Sequence, residues 1–263
     1  RRIALVNSQG SLTVRSKIGL IASMKRMIAV FAIALALGCA QPASAGFEDG
    51  LAAARRGDYA SALREWRPLA EKDHSGAQFN LGLMYANGRG VERNLEGAAS
   101  LFRQAAERGH AYAQMNYAVA LRAGKGVKQD HAESAKWFRE VAEKGHVGAQ
   151  FNLAIAYLEG LGVKRDPAEA VAWFSKAAEK GLSIAQYNLG RAYETGGGVA
   201  KNEVLALKWY ALAAVTFPAG DARKEAAAAR DNMFGNLNKP QAQEAEAQVR
   251  AWIRRRAKQS KRK

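Results

Sequence analysis

A single cysteine, Cys39, in 263 residues leaves neither a disulfide framework nor a thiolate metal site, so packing must hold the fold together. Histidine is nearly as scarce. His74, His110, His131 and His146 do not fall on one helix at metal-ligand spacing; they read as surface turn residues, and no metal or cofactor is expected. Acidic residues are missing from both ends of the chain. Residues 1–45 hold six Lys or Arg and residues 250–263 hold eight, with no acid in either, whereas residues 46–249 carry 26 basic against 24 acidic side chains. The formal charge of +16 therefore belongs to the ends, and the nearly neutral body is not expected to bind nucleic acid.

Long hydrophobic runs are absent as well. The apolar stretch from Met27 to Leu37 is too short to span a bilayer comfortably. It follows Met24, Lys25 and Arg26 and precedes Gly38, Cys39, Pro42 and the triplet Ala43, Ser44, Ala45, which is the order of a secretory signal peptide over residues 24–45. Cleavage after Ala45 makes Gly46 the first residue of a periplasmic or secreted protein. Two alternatives stay open: an uncleaved membrane anchor, and lipoprotein processing at Cys39, which Gly38 permits but Leu37 and Ala36 fit poorly. Residues 1–23, upstream of Met24, show no pattern of their own and read as an unstructured extension.

With 48% hydrophobic residues the chain can bury a substantial core, and that core is periodic. Gln78, Gln114, Gln150 and Gln186 lie 36 residues apart, as do Asn80, Asn116, Asn152 and Asn188. The register extends to Gly88, Gly124, Gly160 and Gly196, to Gly90, Gly126, Gly162 and Gly198, and to Val91, Val127, Val163 and Val199. Leu101, Trp137, Trp173 and Trp209 form a further column, followed by Gly109, Gly145 and Gly181. Each unit reads as a helix, a glycine loop and a second helix.

In the first helix Ala77, Leu81 and Tyr85 share one face, and Gly82, Ala118, Ala154 and Gly190 let a neighbouring helix approach closely. The G-x-G-V loop calls for backbone at positive φ, with the valine folded back onto the hairpin. Asn94, Asp130, Asp166 and Asn202 are of the types that cap a second helix; Asp130 with Glu133, and Asp166 with Pro167 and Glu169, carry capping-box signatures. Arg108, Lys144 and Lys180 end it with a cation before a glycine. Residues 47–76 form a shortened first unit with a tight turn at Gly57 and Asp58. After Phe217 and Pro218 the period stops. Two helical stretches follow, about Asp221–Asn232 and Pro240–Arg255, the second with an apolar stripe of Ala242, Ala245, Val249 and Trp252.

The A-Q-x-N-L pattern, the G-x-G-V loop, the D/N start and the W-F-x-x-A-A-x-x-G second helix resemble Sel1-like repeats over about residues 47–217, with Leu121 and the triplet Gly196, Gly197, Gly198 as departures. The resemblance implies an all-α fold: a right-handed α-α superhelical solenoid of tetratricopeptide-like hairpins. Its units fall at about 47–76, 77–110, 111–146, 147–182 and 183–217, with capping helices over 218–253 and a basic tail over 254–263. It further implies adaptor and scaffold roles, often in the bacterial envelope, without naming one partner.

By analogy with related helical repeats, the first helices line a concave surface suited to a peptide or folded protein. Phe79, Met115, Phe151 and Tyr187, beside Leu83, Val119, Ile155 and Arg191, with Arg122 and Glu194 near the loop end, are the candidate partner-binding residues. An apolar column at helical spacing equally suits a core between repeats, and both readings stay open here. The Asn and Gln columns read as structural. Catalysis is not expected. Some cysteine-rich relatives bind or slowly hydrolyse β-lactams, but the only S-x-x-K here is Ser260–Lys263 in the tail, with no K-T-G or S-D-N. The tail reads as solvated and disordered, or as a contact for peptidoglycan, polysaccharide or an anionic envelope surface.

Overall fold

A computed structural model describes residues 43–260. The expected signal peptide up to residue 42, the Cys39 lipoprotein alternative and the expected extension over 1–23 lie outside the described residues. Those residues form twelve α-helices and no strand: α1 (Ala43–Arg55), α2 (Tyr59–Glu71), α3 (Ser75–Asn87), α4 (Leu95–Glu107), α5 (Ala111–Ala123), α6 (His131–Glu143), α7 (Val147–Glu159), α8 (Pro167–Glu179), α9 (Ser183–Thr195), α10 (Glu203–Thr216), α11 (Asp221–Asn236) and α12 (Lys239–Ser260). None of the described helices is long and apolar enough to cross a membrane. From α1 to α10 each helix packs on the one before and the one after it, giving a solenoid of five hairpins, and α11 and α12 both pack on α10.

The hairpins close because two columns meet. Trp66, Phe102, Phe138, Phe174 and Tyr210 of the second helices are all buried, each worth roughly 1.5–3 kcal/mol of hydrophobic burial. Opposite them the first helices offer buried Leu81, Tyr117, Leu153 and Leu189 with the small residue beside each. A Cβ built on Gly82 would come within 2.6 Å of the Phe102 ring, and one on Gly190 within 2.8 Å of Tyr210, which is why that column stays small.

The loops add a second tie. The backbone N–H of Asn94, Asp130, Asp166 and Asn202 donates across the hairpin to the carbonyls of Tyr85, Leu121, Tyr157 and Tyr193. This is a backbone bond, so Leu121 serves in its column as well as tyrosine. It also corrects the capping-box reading. Asp130 and Asp166 do accept from the N–H of Glu133 and Glu169, but the reciprocal bond is absent because the cap N–H is already used; Glu133 instead accepts from the Trp137 indole at 3.3 Å.

Consecutive repeats are joined by the glutamine column. Gln78, Gln114, Gln150 and Gln186 are buried, and their Nε2 atoms donate at 3.1–3.2 Å to the carbonyls of Ala70, Ala106, Ala142 and Ala178. Those carbonyls lie in the last turn of the preceding second helix and also accept the backbone N–H of Asp73, Gly109, Gly145 and Gly181, so the glutamine is a second donor that ties the next repeat to the helix end.

Three boundaries differ from expectation. The first helix of the second unit begins at Ser75 rather than residue 77, because His74 caps it: Nδ1 accepts from the Ala77 N–H at 3.1 Å. His110 does the same for Ala113 at 3.2 Å, and His146 occupies the same N-cap position without the side-chain bond. These histidines are half-buried caps, not surface turn residues. The other two boundaries are at the C-terminus: α11 runs on to Asn236, and α12 continues to Ser260, so residues 254–260 of the basic tail are helical. The stripe of Ala242, Ala245, Val249 and Trp252 explains this, since it seats α12 against the last repeats while Trp252 Nε1 donates to Glu179 Oε2 at 3.1 Å.

Candidate partner-binding face

The 36-residue register places the expected residues in rows along α3, α5, α7 and α9. One row is Phe79, Met115, Phe151 and Tyr187, the next Leu83, Val119, Ile155 and Arg191, and the third includes Arg122 and Glu194. At spacings of four and three residues these rows occupy one face of each first helix. Phe79 and Leu83 pack against one core cluster, and Met115, Phe151 and Ile155 against the next. They are half-buried, so the choice between core and surface is answered by each side chain being partly both. Val119, 37% exposed, and Arg191 are the open members.

The rows are tied together at the repeat junctions. Phe79 lies 6.0 Å from the Phe102 ring of its own hairpin and stacks at 4.7 Å on His110, the cap of the next first helix. Phe47 meets His74 at 4.7 Å in the same way, and Tyr112 meets His146 edge-on at 5.8 Å. Burial above all holds the His110 imidazole below its ordinary value, which keeps Nδ1 free to accept the capping bond. Arg122 Nη1 donates to Asn152 Oδ1 at 2.7 Å across the next junction, so its charge is held on this face by the asparagine column. Asn116, Asn152 and Asn188 each donate to the carbonyl four residues back.

Two of the expected residues are already engaged, one with the C-terminal cap and one within its own hairpin. Tyr187 donates its hydroxyl to Glu225 Oε1 of α11 at 2.7 Å, and Glu194 accepts the hydroxyl of Tyr210. Burial, reinforced by these carboxylates, pushes both tyrosine hydroxyls above their ordinary value. The face is therefore bounded near α9 and open toward α3, α5 and α7.

A fourth row went unremarked in the sequence. Tyr112, 62% exposed, and Ile184, 37% exposed, stand 72 residues apart, and Gly76 and Gly148 fill the alternate positions. Gly76 and Gly148 stay small because Phe47 and Met115 approach within 3.0 and 3.1 Å of a Cβ built there. Among the described residues no three of His, Cys, Asp or Glu converge on a possible metal position.

Comparison with known proteins agrees with this geometry. The Sel1 repeat pattern matches residues 75–110, 111–146, 147–182 and 183–214. The fold is similar to the crystal structure of a protective antigen present in uropathogenic Escherichia coli strains and displaying an SLR fold. The TM-score is 0.71 at 35% identity, over 81% of this chain and 45% of that one, so the chain spans less than half of the antigen's length. It is also similar to a Sel1 repeat protein from Oxalobacter formigenes, with a TM-score of 0.65 at 26% identity over 78% of this chain and 82% of the other. No curated protein sequence matches the chain. Sel1 repeat proteins are generally non-enzymatic scaffolds for protein–protein interaction. With four consecutive repeats covering more than half of its length, this chain belongs to the Sel1 repeat family.

Proposed function

We propose that the chain is an exported scaffold or regulator of the bacterial periplasm that binds a protein partner along the open part of the first-helix face, from α3 to α7. The observation that carries this reading is the junction ladder, where Phe79, His110 and Tyr112 form a continuous aromatic edge ending in a tyrosine more than half exposed. Aromatic side chains that are rigidly packed at one edge and open at the other supply contact area at little entropic cost. Arg122 adds a fixed charge that orients an extended peptide or a helix laid in the groove.

Export is consistent with the architecture, because cleavage after Ala45 removes only the first three residues of α1, while Phe47, Gly50 and Ala53, which pack on α2 and its neighbours, all remain. Amino-terminal sequencing of protein recovered from the periplasmic fraction is expected to begin at Gly46.

The binding test is affinity capture from an envelope extract with the wild-type chain and with Tyr112→Ala and Phe151→Ala. Loss of a specific captured protein in the variants, with helical circular dichroism retained, is the expected result. Unchanged capture by folded variants would move the site elsewhere, and sedimentation with purified peptidoglycan in place of protein capture would favour cell-wall binding.

A further inference from the structure

The third Sel1 repeat, residues 147–182, breaks a charge pattern that the second, residues 111–146, keeps. At one position of the second helices stand Gln104, Glu140 and Lys176. Glu140 pairs with Lys144 at 2.7 Å and accepts from Gln114 Nε2 at 2.8 Å, and Gln104 takes the same place beside Gln78. Lys176 reverses the sign. Lys180, the counterpart of Lys144, loses its carboxylate and donates to the Gly145 carbonyl, while Lys176 lies 3.5 Å over the Trp173 ring.

Helix α12 returns to this same place. Its last turns carry Arg255 and Arg256, with Arg256 held between the Glu179 carbonyl at 3.3 Å and the Trp252 ring at 5.1 Å. Together Lys176, Lys180, Arg255, Arg256, Trp252 and Gln150 line a cavity of about 430 Å³. Glu179 is its acid, and that carboxylate is engaged by the Trp252 indole. Among the described residues none of the four cations has an ion-pair partner. Gln150, 4% exposed, forms the floor, its Oε1 without a partner as in Gln78 and Gln114 of the same column. Nearby Lys208 is also buried, over the Trp209 ring, and burial holds its ammonium below the ordinary value despite Glu179, with Arg255 adding to the effect.

The geometry points to a binding site for a phosphoryl group in this cavity, with Lys176, Lys180, Arg255 and Arg256 around the anion. Four cations against one engaged carboxylate leave an excess of three positive charges in a partly closed space, which suits a multiply charged oxyanion better than a carboxylate. The phosphoryl group belongs either to a small soluble ligand or to a lipid headgroup at the envelope surface. Binding there would also fasten α12 to the third repeat. The site lies apart from the first-helix face and does not rest on the function proposed for it.

The test is calorimetric titration of the chain with inorganic pyrophosphate at low salt, beside Lys176→Glu and Arg255→Gln. One saturating site is expected, weakened about tenfold or more in each variant, the loss that follows removal of a hydrogen bond to a charged group. Lys176→Glu recreates the Glu140–Lys144 arrangement one repeat on, so its thermal midpoint is expected to hold; if it fails to fold, Arg255→Gln carries the test alone. Vesicles containing phosphatidic acid separate the two sources. Vesicle binding that pyrophosphate displaces assigns the cavity to a lipid phosphate, and pyrophosphate binding without vesicle binding assigns it to a soluble ligand. No saturable pyrophosphate binding, affinity unchanged in the variants, or vesicle binding that pyrophosphate does not displace overturns the site.

Discussion

Gly126 sits so close to the start of α4 that a Cβ added to it would lie 2.0 Å from the carbonyl oxygen of Leu95. The same contact recurs one repeat on, where Gly162 faces the His131 carbonyl at 1.9 Å. The second glycine of each loop thus locks one repeat onto the second helix of the repeat before it. Gly126→Ala is expected to lower stability by more than about 2 kcal/mol, since backbone must move as well as φ being unfavourable. Gly109→Ala provides the contrast: its φ is +80°, yet nothing lies within 4 Å of the added methyl, so only the conformational cost of about 1 kcal/mol is expected. Urea denaturation of both variants checks the difference, and equal losses would show that the close approach is relaxed without cost.

Gln114 is the next position where a polar side chain sets the stacking. It is buried, it donates to the Ala106 carbonyl, and it reaches Glu140 of its own hairpin. Gln114→Leu preserves approximate volume but removes both bonds, the one to Glu140 being to a charged acceptor, while the Ala106 carbonyl keeps the Gly109 N–H, so a loss of about 1–3 kcal/mol is expected. Asn116→Ala, which removes a bond to the Tyr112 carbonyl within one helix, is expected to cost less than about 0.5 kcal/mol. The ratio between the two, measured by thermal unfolding, distinguishes the stacking column from the local one.

The repeat was legible because each column recurs for its own physical reason: a ring needs a small residue opposite it, a turn needs positive φ, and a helix start needs an acceptor. The histidine caps were hidden because histidine is not among the usual N-cap types, although His74, His110 and His146 share one register position. The path of α12 was hidden for a different reason. Trp252 meets Glu179 across 73 residues of sequence, and a segment without a repeat has no neighbour from which its docking could be copied. On the first-helix face the rows could be read, but exposure could not, since Tyr187 is engaged by Glu225 of α11, a helix outside the repeat register.

The His110 cap also makes stability depend on pH. Burial depresses the His110 pKa below its ordinary 6.5, so the unfolded chain binds the proton more readily than the folded one. The associated stability is fully present above pH 6.5 and is lost as pH falls below that value and through the folded pKa. Protonation also converts Nδ1 from acceptor to donor and puts a cation at the positive end of a helix. His110→Asn keeps an acceptor at the cap without the titration. Its stability is expected to fall less than that of wild type between about pH 7.5 and pH 5, by an amount on the order of one cap, about 1 kcal/mol. Parallel slopes for the two proteins would remove His110 from the account.

Trp252 holds the far end of α12, and its two kinds of contact can be separated. The ring is buried in the cluster formed by the third and fourth repeats, while Nε1 bonds the Glu179 carboxylate. Trp252→Phe keeps most of the apolar contact and loses the bond to a charged acceptor, for an expected cost of about 1.5–3 kcal/mol. Trp252→Ala loses both, and about 3–5 kcal/mol is expected. Because α12 packs on α10 through Ala245 near its start, the loss should be confined to its last turns rather than spread through the solenoid. Amide exchange is therefore expected to accelerate from about Val249 onward in Trp252→Ala and to stay slow in α7 and α8. Faster exchange throughout the repeats would mean instead that the cap helix stabilises the whole stack.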